Sequence, residues 1–297
     1  MDGATQLVGV IGWPIEHSLS PAMHNAVLEE LGLNWCYVPL LVRPTAVADA
    51  IRGVTALGFR GINVTVPHKQ AVMGELDEIA PGAAAVGAVN TVVIDGDAGG
   101  THLAGHNTDV PGFITSLRAR GYKPAPDDRA VVVGAGGAAR AVVYALLTAG
   151  IGEVVILNRT LERAQRLIVD LTVIGTGTGR LKALPLQPAA LVAVSQEAQL
   201  LVNATTVGMW PSVADSIWPA DVPLPGGLVV YDLVYNPLET RLLRQARCSG
   251  AQPLDGLDML ARQGALALAL WLEEALDVDW ATALMRDVCE RALGSRA

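Results

Sequence analysis

The segment Gly134-Ala135-Gly136-Gly137-Ala138-Ala139-Arg140 follows the apolar run Val131-Val132-Val133 and opens an alanine-rich amphipathic stretch. That order reads as strand, tight loop and helix. Gly134 permits the turn, Gly136 lets the backbone approach a pyrophosphate, and Ala139 stands where close helix–sheet packing takes Gly or Ala. A helix start also offers free N–H groups and the positive end of a dipole to phosphate. The next apolar run, Val154-Val155-Ile156-Leu157, ends in Asn158-Arg159-Thr160, with Arg163 a turn later. A carboxylate at that strand end would take a ribose 2′-hydroxyl, whereas arginine suits a 2′-phosphate. The expected cofactor is therefore NADP. A structural turn with a solvated arginine is the plainer alternative; the agreement of strand, turn, helix and strand end stands against it.

A second set of polar residues lies in the first third of the chain. Ser18 and Ser20 follow the first apolar run, and Ser20-Pro21 reads as an N-cap and first helical residue. Two hydroxyls at a helix entrance also suit a carboxylate. Three of the 21 Lys and Arg residues are lysines: Lys69, Lys123 and Lys182. Lys69, just after Asn63-Val64-Thr65-Val66-Pro67-His68, hints at a need for a compact ammonium whose proton can be transferred. Its bland reading is a solvated lysine in a first helical turn. Asp109 likewise reads as a helix cap or as a functional acid. His17, His24, His68, His102 and His106 show no metal spacing, and no metal is expected; His68 and His106 read as structural or peripheral.

These residues need elements to carry them. At 297 residues the chain fits one large or two ordinary domains. Half of it is hydrophobic with few aromatics, which suits parallel strands buried on both faces. A net charge of −8 argues against a broad nucleic-acid surface. Cys36, Cys248 and Cys289 make no metal spacing or disulfide framework, so a reducing cytoplasm is expected. The first residues have no basic region or long apolar stretch, so no secretory leader is expected, and no apolar window is long enough for a membrane span. Strands are expected over 7–11, 35–41, 61–66, 200–202 and 228–231, with a hairpin joining 91–94 to 101–103 through 95–100. Helices are expected from Ser20 to Gly32, from a Thr45 cap to near Gly58, over 109–121, 257–276 and 279–293. Residues 123–128 read as a linker and 175–179 as a loop. The polar residues, Asn203 and Thr205 among them, cluster after strand ends, where open α/β sheets bind ligands.

Taken together these segments resemble shikimate dehydrogenases. The matching runs are Ser18-Leu19-Ser20-Pro21 with His24-Asn25, Asn63 to Lys69, Gly87-Ala88-Val89-Asn90-Thr91, and Asn107-Thr108-Asp109. The second half adds the glycine loop, Asn158-Arg159-Thr160, Asn203-Ala204-Thr205 with Gly208-Met209, Tyr231-Asp232-Leu233-Val234-Tyr235-Asn236-Pro237, and Gly256, Met259, Leu260 and Gln263. The resemblance implies an α/β fold of two domains with a cleft between them. An N-terminal α/β substrate-binding domain takes 1–108, with the C-terminal helices of 256–297 packing back onto it, and a Rossmann-type NADP-binding domain takes 109–255. It implies NADP-dependent, reversible reduction of 3-dehydroshikimate to shikimate, without a metal. Lys69 and Asp109 would be the catalytic pair. Ser18 and Ser20 would hold the substrate carboxylate, and Asn63, Thr65, Asn90, Asp109, Tyr235 and Gln263 the ring hydroxyls. Gly134, Ala135, Gly136, Gly137, Ala138, Asn158, Arg159, Thr160 and Arg163 would bind NADP, with Leu233 and Gly256 near the nicotinamide. The implied partner is a small-molecule substrate, with no nucleic acid and no membrane; a homodimer is left open. After Trp271 the chain departs from the family pattern: Leu272-Glu273 replaces Thr-Gly, and the helix is expected to run on. The alternatives are a broader quinate/shikimate dehydrogenase using NAD or NADP, a folate-type dehydrogenase, and a non-catalytic ligand sensor.

Overall fold

The computed structural model describes residues 1–97, 100–173, 175, 179–272 and 275–294. They form two compact units, Met1–Asp109 with Ala261–Ala297, and Val110–Leu260. The first unit contains β1 (Gln6–Gly12), α1 (Ser20–Glu30), β2 (Trp35–Leu41), α2 (Val47–Ala56), β3 (Phe59–Val64), β4 (Glu78–Ile79), α3 (Pro81–Val86), β5 (Thr91–Asp97) and β6 (Gly100–His106). After α4 (Asp109–Ala119) come β7 (Arg129–Val133), α5 (Gly137–Thr148), β8 (Glu153–Asn158), α6 (Leu161–Val173), β9 (Arg180–Pro185), α7 (Pro188–Ser195), β10 (Leu200–Asn203), β11 (Val229–Asp232), α8 (Arg241–Cys248) and β12 (Gln252–Leu254). The chain then returns to the first unit through α9 (Leu257–Trp271) and α10 (Val278–Gly294).

The sheet of the first unit runs β2-β1-β3-β5-β6-β4. β1 pairs in parallel with β2 and β3, and β5 is antiparallel to both β3 and β6. The ends of β1 and β3, the start of β5 and the end of β6 therefore gather on one edge, with Asn63 opposite Thr91 and Thr91 opposite His106. Ile11, Ile62, Val64, Val72, Val89 and Val92 form part of the core beneath that edge. Glycine makes room for the returning helix: a Cβ on Gly61 would lie 2.1 Å from Trp271 Nε1, which donates to the Val92 carbonyl at 3.0 Å.

The sheet of the second unit is parallel throughout, in the order β12-β11-β10-β7-β8-β9. Counted from β7 this is the doubly wound order, which reverses between β7 and β10. Ala130 and Val132 enter one buried cluster and Val131 and Val133 the other, as a strand covered on both faces requires.

Several boundaries differ from expectation. Ser20 is not the N-cap of α1: Leu19 is, and Ser20 and Pro21 are the first two helical residues. The backbone N–H of Ser20 donates to Ser18 Oγ at 3.2 Å, so the hydroxyl that serves this end lies two residues earlier. Thr45 is not the cap of α2 either, because Pro44–Ala46 form a separate 3-10 turn. The third strand stops at Val64, before Thr65. α9 does not run on to residue 276 but ends at Trp271. Its indole packs there on Gly61 of β3 and bonds Val92 of β5, and Asp277 Oδ1 accepts from the N–H groups of Asp279 and Trp280 to start a new helix. The hairpin is present, though the expected turn residues Ala98 and Gly99 lie outside the described residues, as do 176–178 of the expected loop and Glu273.

Candidate functional site

At the gathered strand ends of the first unit, Lys69 Nζ donates to Asp109 Oδ2 at 2.5 Å. The two side chains are 13% and 5% exposed, so the pair is largely desolvated. Lys69 sits in the turn after β3, its carbonyl held by the Val89 N–H at 2.8 Å. Asp109 is the first residue of α4, where a carboxylate complements the helix dipole. Asn90 Nδ2 lies 3.1 Å from Asp109 Oδ1, 3.1 Å from Gln263 Oε1 and 2.9 Å from Thr108 Oγ1. With Oδ1 and Oδ2 both engaged, the carboxylate plane of Asp109 is fixed.

Asn63 continues the network. Its Nδ2 donates to the Asn90 carbonyl at 3.2 Å and to Thr91 Oγ1 at 3.1 Å. A carbonyl only accepts, so this fixes the amide with Oδ1 toward Tyr37, whose hydroxyl donates to it at 2.8 Å. Both hydrogens of Asn63 are used internally, which leaves a lone pair of Oδ1 as its capacity toward a ligand. Tyr37 was missed by sequence reasoning because it sits inside the apolar run of β2. Its backbone N–H and carbonyl are clamped by the Asn25 amide at 2.8 and 2.9 Å, and its ring stacks on His24 at 4.1 Å. His24 is fully buried and bonds the Ser20 carbonyl through Nδ1 at 2.9 Å. Burial pushes its imidazolium pKa down to about 4, against the pull of that carbonyl. Ser20 Oγ itself makes no protein hydrogen bond among the described residues. Thr65 is half-buried after β3, with its methyl against Gly12. His68 is structural, bonding the Val42 carbonyl at 2.7 Å.

A cavity of about 480 Å³ lies at the opposite, amino ends of β1 to β3, lined by Gln6, Trp35 and Arg60 among others, and holds none of these groups. Among the described residues no three His, Cys, Asp or Glu are placed to hold a metal, and no helix is long and apolar enough to cross a membrane.

The second unit places its signature residues at the carboxyl edge of the parallel sheet. Gly134 has φ +117°, a conformation that favours glycine, and a Cβ there would lie 3.0 Å from the Ala204 carbonyl oxygen. Gly136 caps α5 with no side-chain bond, and the space beside its Cα is open. The first N–H groups of α5, from Gly137 onward with Ala135 and Ala138 alongside, are thus left for an anion. Asn158 Nδ2 donates to the Thr160 carbonyl at 2.7 Å and shapes the turn that presents Arg159. Arg159 and Arg163 are exposed, and among the described residues neither side chain is paired. These features fit a phosphorylated dinucleotide: an uncapped helix start, a glycine cradle and two free guanidiniums. Leu233 follows β11, and Gly256 packs so closely on it that a Cβ would lie 2.4 Å from the Leu233 oxygen. Tyr235 is half-buried in the same turn region. Asp232, fully buried at the end of β11, accepts from Asn203, Val234 and Thr240; burial nevertheless pushes its carboxyl up to about 6.

Sequence comparison decides the family. Residues 10–92 match the shikimate dehydrogenase substrate-binding domain, and residues 118–207 match the shikimate/quinate 5-dehydrogenase domain. The chain belongs to the shikimate dehydrogenase family. It is 46% identical over 292 residues to the shikimate dehydrogenase (NADP(+)) of Moorella thermoacetica, covering 98% of this chain and 95% of that one. Its fold matches the shikimate 5-dehydrogenase of Thermus thermophilus, solved with NADP(H) and shikimate, at a TM-score of 0.81 and 41% identity, over 97% of this chain and all of that one. The quinate dehydrogenase of Corynebacterium glutamicum, solved with NAD, matches at 0.81 with 33% identity, over 95% and 99%. The two-domain α/β architecture, with a Rossmann-type dinucleotide-binding unit, is that of this family.

Proposed function

We propose that this chain catalyses the NADP-dependent, reversible reduction of 3-dehydroshikimate to shikimate. The observation that carries the reading is the Lys69–Asp109 pair, 2.5 Å apart and nearly shielded from water, in a chain so similar to NADP-named shikimate dehydrogenases. The unit Met1–Asp109 with Ala261–Ala297 takes the substrate, and Val110–Leu260 takes NADP. The bound nicotinamide supplies or accepts the hydride at C3. Lys69 holds the C3 oxygen and gives it a proton as negative charge develops there. Asp109 aims the ammonium through Oδ2 while Asn90 fixes its other oxygen. Ser18 and Ser20 take the substrate carboxylate, a role for which Ser20 Oγ is free. Asn63, Thr65, Asn90, Asp109, Tyr235 and Gln263 meet the ring hydroxyls, Asn63 as an acceptor.

Gly134 to Ala138 cradle the pyrophosphate, while Asn158, Arg159, Thr160 and Arg163 hold the 2′-phosphate. Leu233 and Gly256 border the nicotinamide. The reaction needs no metal and no macromolecular partner; a homodimer is compatible with it but not required. The free thiols Cys36, Cys248 and Cys289 suit a reducing cytoplasm.

A spectrophotometric assay of shikimate and quinate, each with NADP and NAD, tests the reading. Turnover should be fastest with shikimate and NADP. Faster turnover of quinate with NAD would favour the broader quinate/shikimate activity, to which the Corynebacterium likeness points. No turnover of either acid would leave a ligand sensor, which the retained Lys69–Asp109 pair speaks against.

A further inference from the structure

Asp232 has no part in the chemistry described so far, yet it touches three segments of the second unit. Its Oδ1 accepts from Asn203 Nδ2 at 2.9 Å and from the Val234 N–H at 3.1 Å, and its Oδ2 accepts from Thr240 Oγ1 at 2.7 Å. Thr240 is the N-cap of α8. Among the described residues no cation pairs with this carboxylate, and its three hydrogen bonds are what it contributes. A carboxylate only accepts, and the Val207 carbonyl, 3.2 Å from the same Asn203 nitrogen, also only accepts. Asn203 must therefore point Nδ2 at Asp232 and Val207 and turn Oδ1 toward Thr205. There it accepts from the Thr205 N–H at 3.1 Å and Oγ1 at 2.6 Å, and Thr205 Oγ1 in turn accepts from the Val207 N–H at 3.1 Å. The turn after β10 is closed by these bonds, and it walls the glycine loop. A Cβ on Gly134 would lie 3.0 Å from the Ala204 oxygen and 3.2 Å from Thr205 Cγ2. The Leu233 N–H donates to the Asn203 carbonyl at 3.0 Å, and Leu233 presses on Gly256, so the turn after β11 is braced by the same pair.

We propose that Asp232 is a positioning residue for the dinucleotide, acting through the Asn203 amide to hold the 203–207 turn against Gly134. The proposal rests on the reading of Val110–Leu260 as the NADP unit. It predicts which substitutions are tolerated. Asp232→Asn can still accept from Asn203 and Val234 through its one oxygen and can donate to Thr240, whose hydroxyl rotates. Asp232→Ala removes the acceptor and frees the Asn203 amide.

The test is calorimetric titration of the full chain with NADP, with shikimate titrated alongside. Asp232→Ala and Thr205→Val should each weaken NADP binding about tenfold. Asp232→Asn should stay within about twofold of wild type, and shikimate affinity should not move in any of the three. The double variant Asp232→Ala/Thr205→Val should bind no worse than the poorer single variant, because both changes open one turn. If Asp232→Ala does not fold, Thr205→Val against Asp232→Asn still decides. Wild-type affinity in Thr205→Val, additive losses in the double variant, or a tenfold loss in Asp232→Asn would each overturn the proposal. A wild-type chain that binds no NADP would instead sink the functional reading itself.

Discussion

At the scale of single residues the chemistry reduces to which atoms have capacity left. Asp109 gives one oxygen to Asn90 and the other to Lys69, so the Lys69 amine is held in one direction. A positioned general acid contributes about 10²–10⁴-fold in rate. Lys69→Ala should lower kcat within that range with a smaller change in KM for shikimate, and Lys69→Arg should restore little, because arginine does not release its proton. Asp109→Asn should also slow turnover. The double variant should be barely slower than the worse single one, since residues acting as a unit fail together; multiplicative losses in steady-state kinetics would separate their roles. Arg159 is the simpler case. Exposed, and unpaired among the described residues, it gives up no described contact when truncated. A charged hydrogen bond to the 2′-phosphate contributes roughly 1.5–3 kcal/mol, so Arg159→Ala should raise KM for NADP about tenfold or more. An equal rise for NAD would show that Arg159 does not read the phosphate.

At the scale of elements, what could be read from the sequence followed how each signal is written. β2 reads clearly because Trp35 to Leu41 is an apolar run between turn residues, and the glycine loop because its backbone demands glycine. β12 has three residues including Pro253, and β9 is half-exposed on an edge, so neither carries the pattern of a buried strand. Lys69 and Asp109 were legible as polar residues just past apolar runs. Tyr37 was not, because its hydroxyl meets Asn63 across 26 residues of sequence, and Asp232 carried no sign of its three donors. The Ser-Pro start of α1 was legible but misplaced by one position. Ser18 now carries the bond to the helix, so Ser18→Ala should cost about 1 kcal/mol in urea denaturation. Ser20→Ala should cost less than about 0.5 kcal/mol while weakening shikimate binding; equal stability losses would restore Ser20 as the cap. Below the same helix, His24 links α1 to β2 and sets a pH dependence. Its folded pKa of about 4 lies below the ordinary 6.5, so its stabilising effect is complete above pH 6.5 and is lost as pH falls toward 4. Between pH 7 and 5 the wild type should lose about 2 kcal/mol more than His24→Phe, as measured by urea unfolding at the two pH values. Identical losses would mean that the ring is protonated in the folded protein.

At the scale of the whole molecule, the sequence order conceals two separate cores. The first unit is completed by residues from the far end of the chain: Gln263 meets Asn90, and Trp271 fills the space over Gly61. The second unit carries its own clusters on both faces of a parallel sheet. Trp271 is 2% exposed, and truncating a buried tryptophan costs about 3–5 kcal/mol through the cavity it leaves. That cost falls on the unit Met1–Asp109 with Ala261–Ala297. On the proposed assignment of NADP to the other unit, NADP at about a hundred times its Kd should stabilise that unit by about 2.7 kcal/mol. Scanning calorimetry of Trp271→Ala should therefore resolve two transitions. The one that shikimate raises should move to lower temperature, and the one that NADP raises should stay at its wild-type position. Turnover would then be lost on heating while NADP binding persists. A single transition, lowered by Trp271→Ala and raised equally by either ligand, would mean that the two cores melt as one cooperative body, and that the separation between them is one of packing and not of stability.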